Sequence, residues 1–269
     1  MKICRTTRTL WVEYSAPVRD CVRELRVLPP DLRAGQTVLN LQWNCEPPPD
    51  KSEEWVDDFG NRVLRLRHQR IARSFQFESI FETQHASTPV TRETNLPPNG
   101  IGAFLLPSAL CNRTPEIEAA ARELQGATPT EICEYVYRTL EYSPGATTLK
   151  TAASQSLQEK RGVCQDFAHA MIAICRELKI PARYVSGYLP GEGAMHAWCE
   201  VLLKENWRGF DPTHNRAARE DYVYVAGGRD FRDCITASGS FKGHGKAELK
   251  SLCRTAARSD ADFHLLPGK

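Results

Sequence analysis

Apolar and polar positions alternate with a period of two over much of the first 86 residues. In TLWVEYS, Leu10, Val12 and Tyr14 share a face. In QTVLNLQWN, Thr37, Leu39, Leu41 and Trp43 oppose Val38, Asn40 and Gln42. RVLRLRH and SFQFESIF add shorter runs of β-branched and aromatic residues. Alternation of this kind fits half-buried strands, because a helix needs a period of 3.6. The turn-forming stretches LPPDLRAGQ, CEPPPDKSEE and DDFGN separate the runs, so residues 1–86 are expected to form a small antiparallel β-sandwich. Residues 87–105, rich in Pro, Thr, Asn and Gly, read as a linker.

The period then changes. Thr114-Pro115 is an N-cap and first-turn signal for a helix running to Gly126. Thr128-Pro129 repeats it for EICEYVYRTLEY, where Ile132, Val136 and Leu140 share a face. A short helix fits TAASQSLQEK. QDFAHAMIAICRELK then places Phe167, Met171, Ile174 and Leu178 on one stripe, and Pro181 ends it. The strands ARYVSGYL, HAWCEVLL and WRGFD follow. Helices first and an antiparallel run afterwards predict an α+β core over residues 106–240. Residues 241–269 are weakly patterned and read as a C-terminal tail.

Composition narrows the class. The 269 residues are 41% hydrophobic and 25% charged, which suits a folded chain and excludes a disordered one. A net charge of +2 offers no basic excess for nucleic acid. No apolar run approaches a bilayer span of about 20 residues, so no membrane partner is expected. MKICRTTRTLWVEY lacks the apolar h-region of a secretory signal, and the cytoplasm is the expected location. The ten cysteines include no CxxC pair, so they read as reduced thiols, mostly small buried residues.

One cysteine is placed for chemistry. Cys164, in RGVCQDFAH, opens the long apolar helix, where free N–H groups and the helix dipole favour an anion. Its own N–H points to where an attacked carbonyl would develop charge. His196 begins the strand HAWCEVLL and Asp211 ends WRGFD, so two neighbouring antiparallel strands would set them side by side. Packing the helix on that sheet would bring Cys164 to the imidazole. The roles that follow are thiolate nucleophile, proton carrier and imidazole-orienting carboxylate.

The stretch from Arg161 to Asn215 closely resembles the transglutaminase-like superfamily, in its bacterial branch of candidate cysteine proteases. The GVCxDxA, HAW and DPT elements of the family fall on Cys164, His196 and Asp211 in order. The likeness continues through Asp221-Tyr222-Val223 and Gly228-Arg229-Asp230, and the N-terminal strands with DDFGN look like the β-rich domain of that branch. The resemblance implies a papain-like, transglutaminase-like core, with a Cys-bearing helix packed on an antiparallel sheet. It also implies attack by Cys164 on a peptide or glutamine-type amide to give a thioester. Water is the simpler acceptor for this branch, and an amine is the other. Related chemistries, on a glycan–asparagine or arylamine amide, share the same three residues, and a non-catalytic peptide-binding module is the reading outside enzymes. The partner implied is a peptide or protein substrate. There is no D-x-[DN]-x-[DN]-G loop, so neither calcium nor any other metal or cofactor is expected.

Around these three, other residues have plainer readings. His169, five positions past Cys164, lies about 140° round the helix and reads as a packed histidine bonded to backbone. Asp166 suits the first helical turn, with a site role as the alternative. His214 reads as an ordinary loop histidine, with lining the site as the alternative, and Trp198 as either a core aromatic or a wall of the thiol pocket. Arg229, Asp230 and Asp233 read as a structural ion-pair group, with binding a substrate carboxylate or bracing the site loop as the alternative.

Overall fold

A computed structural model describes residues 2–33, 35–86, 97 and 100–259. Most of the expected linker (87–96, 98 and 99) and residues 260–269 lie outside the described residues. The N-terminal strands are β1 (Lys2–Tyr14), β2 (Val18–Leu25), β3 (Leu32–Arg33), β4 (Gln36–Glu46), β5 (Lys51–Val56), β6 (Arg62–Ile71) and β7 (Ser74–His85). Helices α1 (Pro115–Glu123) and α2 (Pro129–Thr139) follow, then β8 (Glu141–Tyr142), α3 (Ala153–Glu159), β9 (Arg161–Gly162) and α4 (Cys164–Glu177). The last strands are β10 (Ala182–Tyr188), β11 (His196–Leu203), β12 (Asn206–Asp211), β13 (Arg216–Ala217), β14 (Val223–Gly228), β15 (Ala237–Lys242) and β16 (Ala247–Ser259).

Two antiparallel sheets, ordered β16-β1-β7-β4-β3 and β15-β2-β6-β5, enclose Leu10, Leu25, Leu64, Leu66, Phe75 and Phe77. Sequence alternation does not mark β2 or β5. In β2 the turn at Asp20 (φ 49°) breaks the period, and in the edge strand β5 charged residues hold both faces.

The expected tail is, over its described part, two strands of the sandwich. β16 pairs with β1 from Lys2↔Ser259 to Tyr14↔Ala247, and β15 pairs with β2. Backbone pairing carries these contacts. Within the described part of β16, Cys253 and Thr255 are the buried side chains, and the Thr6 and Thr255 hydroxyls meet at 3.0 Å. A strand held by its main chain needs no apolar stripe, so its sequence looks patternless.

The third sheet, β13-β12-β11-β10-β14, carries α4 on one face. Helices α1, α2 and α3 enclose the rest of α4, so Phe167, Ala168, Ala170, Met171, Ile172 and Ile174 are all buried. At its far end Arg176 donates to the carbonyls of Phe104, Leu106, Ala182 and Arg229 at 2.6–3.3 Å, fixing the chain that enters this half.

The two halves share one apolar cluster and a polar seam. The Asn61 amide brackets Gly227 (2.7 and 2.9 Å), Gln36 brackets Tyr224 (2.8 and 3.0 Å), and the Tyr188 hydroxyl donates to Val27 O (2.9 Å). Glu200 lies between Arg33 and Arg183, each 2.7 Å away. That pairing holds the Glu200 carboxyl below its ordinary pKa despite its burial. The sheet that bears the site is thereby clamped to the sandwich.

Candidate active site

Cys164 is the first residue of α4, and its neighbours explain why the helix starts there. Val163 is extended (φ −114°, ψ −179°), and its N–H donates to the Asp166 carboxylate at 2.8 Å. Thr147 donates to the same oxygen at 2.6 Å. The carboxylate can lie back over the helix start because Gly162 has no side chain. A Cβ there would stand 2.5 Å from that of Asp166. Asp166 thus fixes the turn that carries Cys164, capping the helix start as well as sitting in its first turn. As a first-turn residue, Cys164 presents an N–H with no acceptor inside the helix.

His196 opens β11 and is buried, while Asp211 closes β12 and is fully buried. The two strands are antiparallel neighbours joined at Lys204-Glu205, in the register Cys199↔Phe210. His196 Nε2 donates to Asp211 Oδ2 at 2.8 Å. The Cys164 thiol lies close to this imidazole and is among the groups that raise its pKa. His196 and Asp211 are thus directly bonded, with Cys164 near the ring. Burial opposes charge on His196, but the Asp211 and Cys164 contacts outweigh it and hold the imidazolium up to about pKa 10.

Asp211 is more heavily engaged than the sequence suggests. Besides His196, Oδ2 accepts from His214 Nδ1 (2.7 Å) and the Tyr222 hydroxyl (2.7 Å), while Oδ1 takes the Thr213 N–H (2.9 Å). Burial works against the carboxylate, yet these donors hold it well below the usual range. His214 is thus no ordinary loop residue. The turn DPTH folds it back, three positions on, to the acid it follows. Tyr222 falls in the Asp221-Tyr222-Val223 element of the resemblance, but its contact with Asp211 is not readable from sequence, because only the return of the chain into β14 brings it there.

His196, Asp211 and His214 form a group whose ligand-type atoms lie within 4.8 Å of one another. Their spacing is that of hydrogen bonds. Both imidazoles spend an N–H on one carboxylate oxygen, so neither lone pair converges on a common point between them.

The Trp198 ring is buried, stacks 6.4 Å from His196 and meets Tyr222 edge-on at 5.3 Å. Trp198 is therefore the core aromatic of its two readings. Gly187 is needed for this packing, since a Cβ there would come within 2.6 Å of the indole. His169 is buried and accepts the Phe231 N–H at 3.1 Å, away from Cys164. Arg229 pairs with Asp233 at 2.9 Å, and Asp230 accepts the Leu110 N–H at 2.9 Å, so both are structural.

Tyr222 is a positioning residue: it holds the carboxylate that holds the imidazole, and Arg216 Nε in turn donates to its oxygen at 2.8 Å. Tyr222→Phe is expected to lower kcat by about tenfold with KM unchanged, at a stability cost of about 1 kcal/mol. Steady-state kinetics beside a thermal melt would separate the two effects. An unchanged kcat would make Tyr222 a packing residue only.

Comparisons agree with this geometry. Residues 113–212 match the family model of the transglutaminase-like superfamily, and residues 6–84 match that of the bacterial transglutaminase-like N-terminal region. A crystal structure of a candidate cysteine protease from Cytophaga hutchinsonii superposes with a TM-score of 0.76 at 26% identity, over 94% of this chain and 90% of that one. An uncharacterised protein of Mycobacterium leprae is 27% identical over 88% of this chain and 92% of its own length. A protein-glutamine γ-glutamyltransferase of Pseudomonas aeruginosa is 30% identical over 38% of this chain, which is 19% of that larger protein. Matched in both halves and folded as α+β with a Cys-bearing helix on an antiparallel sheet, the chain belongs to the bacterial branch of the transglutaminase-like superfamily.

Proposed function

We propose that the chain is a thiol-dependent amidase or peptidase, with Cys164 as nucleophile, His196 as proton carrier and Asp211 as orienting carboxylate. One observation carries this reading. The one half-buried cysteine of ten begins a helix and lies close to an imidazole that donates from Nε2 to a buried carboxylate. The Cys164 sulfur attacks an amide carbonyl, and the tetrahedral oxyanion takes the Cys164 N–H. The His196 imidazolium gives its Nδ1 proton to the departing nitrogen, the C–N bond breaks, and a thioester remains. Water then attacks. His196 takes its proton, and the carboxylic acid leaves as Cys164 is restored. Asp211 keeps Nε2 protonated throughout and compensates the imidazolium.

The substrate proposed is a peptide or protein, with glutamine-type or peptide amides as acyl donors. The likeness to a protein-glutamine γ-glutamyltransferase supports that donor class. Among the described residues, no helix is long and apolar enough to cross a membrane. Ten unpaired cysteines support placement in a reducing compartment, the cytoplasm.

The test is incubation with glutamine-containing peptides and an unfolded protein, with and without a primary alkylamine, followed by mass spectrometry of the products. Cleaved or deamidated products are expected to dominate even with amine present. Amine adducts in excess would overturn water as acceptor and leave the thiol chemistry standing. No product under either condition would sink the enzymatic reading.

A further inference from the structure

A second candidate site lies in the sandwich, away from Cys164. Between the strand pairs β1–β16 and β2–β15 the two sheets part around a cavity of about 150 Å3. Buried Leu10, Leu25 and Phe75 form its floor, and the more exposed Val12, Phe241 and Leu249 stand at its mouth. Into this apolar space the core sets a charge. Arg23, 7% exposed, lines the cavity, and its Nη1 is buried with no hydrogen-bond partner.

A buried cation of this kind normally has a carboxylate beside it, because desolvating a guanidinium costs several kcal/mol. Among the described residues none is paired with Arg23. The adjacent acids are engaged elsewhere, Glu24 with Arg65 and Asp20 with Lys242. The Phe75 ring face, 4.0 Å from the guanidinium carbon, offsets part of the cost. The other nitrogen, Nη2, donates to the Tyr14 hydroxyl. Tyr14 also lines the cavity, and its hydroxyl keeps its own proton to give. Arg23 and Tyr14 thus bring two donor-bearing side chains to apolar walls.

We propose that this cavity binds an apolar monocarboxylate, a medium-chain fatty acid, whose carboxylate accepts from Arg23 and Tyr14 while its chain lies against Leu10, Leu25 and Phe75. The size agrees, since a cavity of this volume holds about six carbons. A longer chain would pass out between Phe241 and Leu249. The missing counter-ion is then the ligand's, and the charged end is read by a charge-assisted, two-donor contact.

Calorimetric titration of the whole chain with octanoate, methyl octanoate and octanol tests this directly. Octanoate is expected to bind with a Kd of about 10–100 μM. The ester and the alcohol should bind at least about tenfold more weakly, having lost the charged contact. Arg23→Met keeps the apolar volume, and should lose octanoate binding by the same factor or more while amide hydrolysis is retained. The three-ligand comparison on the natural chain stands whether or not that variant folds. Equal binding of octanoate and octanol, or no octanoate binding at millimolar concentration, would reduce the cavity to a packing defect and overturn the proposal.

Discussion

Cys164→Ala is expected to reduce amide hydrolysis to the uncatalysed background, a loss on the order of 10^6 in kcat, while the fold survives. The size follows from chemistry: the thioester route needs a covalent nucleophile, and the remaining nine cysteines are buried. Burial pushes the Cys4, Cys111 and Cys133 thiols up to about 12, so they are poor substitutes. The survival follows from position. Cys164 is a half-buried first-turn residue, and the turn is held by Asp166 and Thr147 rather than by its sulfur. The melting temperature should move by no more than about 4 °C. Peptide-mapped alkylation with iodoacetamide gives an independent reading. Cys164 alone should label rapidly, and His196→Ala should remove that advantage. Retained hydrolysis by Cys164→Ala would end the mechanism.

Cys164, His196 and Asp211 were singled out as candidates because each sits at an element boundary that local chemistry announces. A glycine and an apolar-faced run mark the start of α4, alternation marks β11, and a proline after Asp211 marks the end of β12. The partners that tune them were not. His214 carried a weak signal, its three-residue spacing from Asp211, and Tyr222 reaches the same oxygen only through tertiary folding. In the sandwich, the alternating strands β1, β6 and β7 could be read, since each buries one face. In β4 the pattern predicts Thr37, Leu39, Leu41 and Trp43 on one side, but a bulge between Val38 and Asn40 leaves Leu39 exposed while Leu41 and Trp43 are half-buried. β5 and β16 could not be read. The first is a charged edge, and the second is paired through its main chain with most of its side chains in solvent. What sequence pattern reports is side-chain burial, and it is silent where backbone hydrogen bonds do the holding.

The concentration of donors on Asp211 has a further consequence for the reaction. Three side chains and the Thr213 N–H secure one carboxylate, which then secures one imidazole. Trp198 and Tyr222 pack against the ring of that imidazole. In the proposed mechanism His196 would trade its proton without turning, its orientation being set before substrate arrives.

Asp211→Asn should expose how much of catalysis that arrangement supplies. The asparagine keeps the shape but removes the charge, and its amide cannot accept from His196, His214 and Tyr222 together. We expect kcat to fall by 10^3- to about 10^4-fold, with a stability loss of about 2–4 kcal/mol that leaves the chain folded. The pH dependence separates charge from packing. In the natural chain the pKa of His196 is raised to about 10. Its contribution to stability is therefore full below the unfolded value of about 6.5 and is lost as pH rises toward 10. Without the carboxylate, burial becomes the dominant influence on His196 and favours the neutral ring. The alkaline limb of kcat/KM should then move from near pH 10 to below about 6.5, and the fall in stability between those values should disappear. An alkaline limb unchanged in Asp211→Asn would show that the carboxylate does not hold the proton on His196. A chain that simply unfolds would make Asp211 a structural residue.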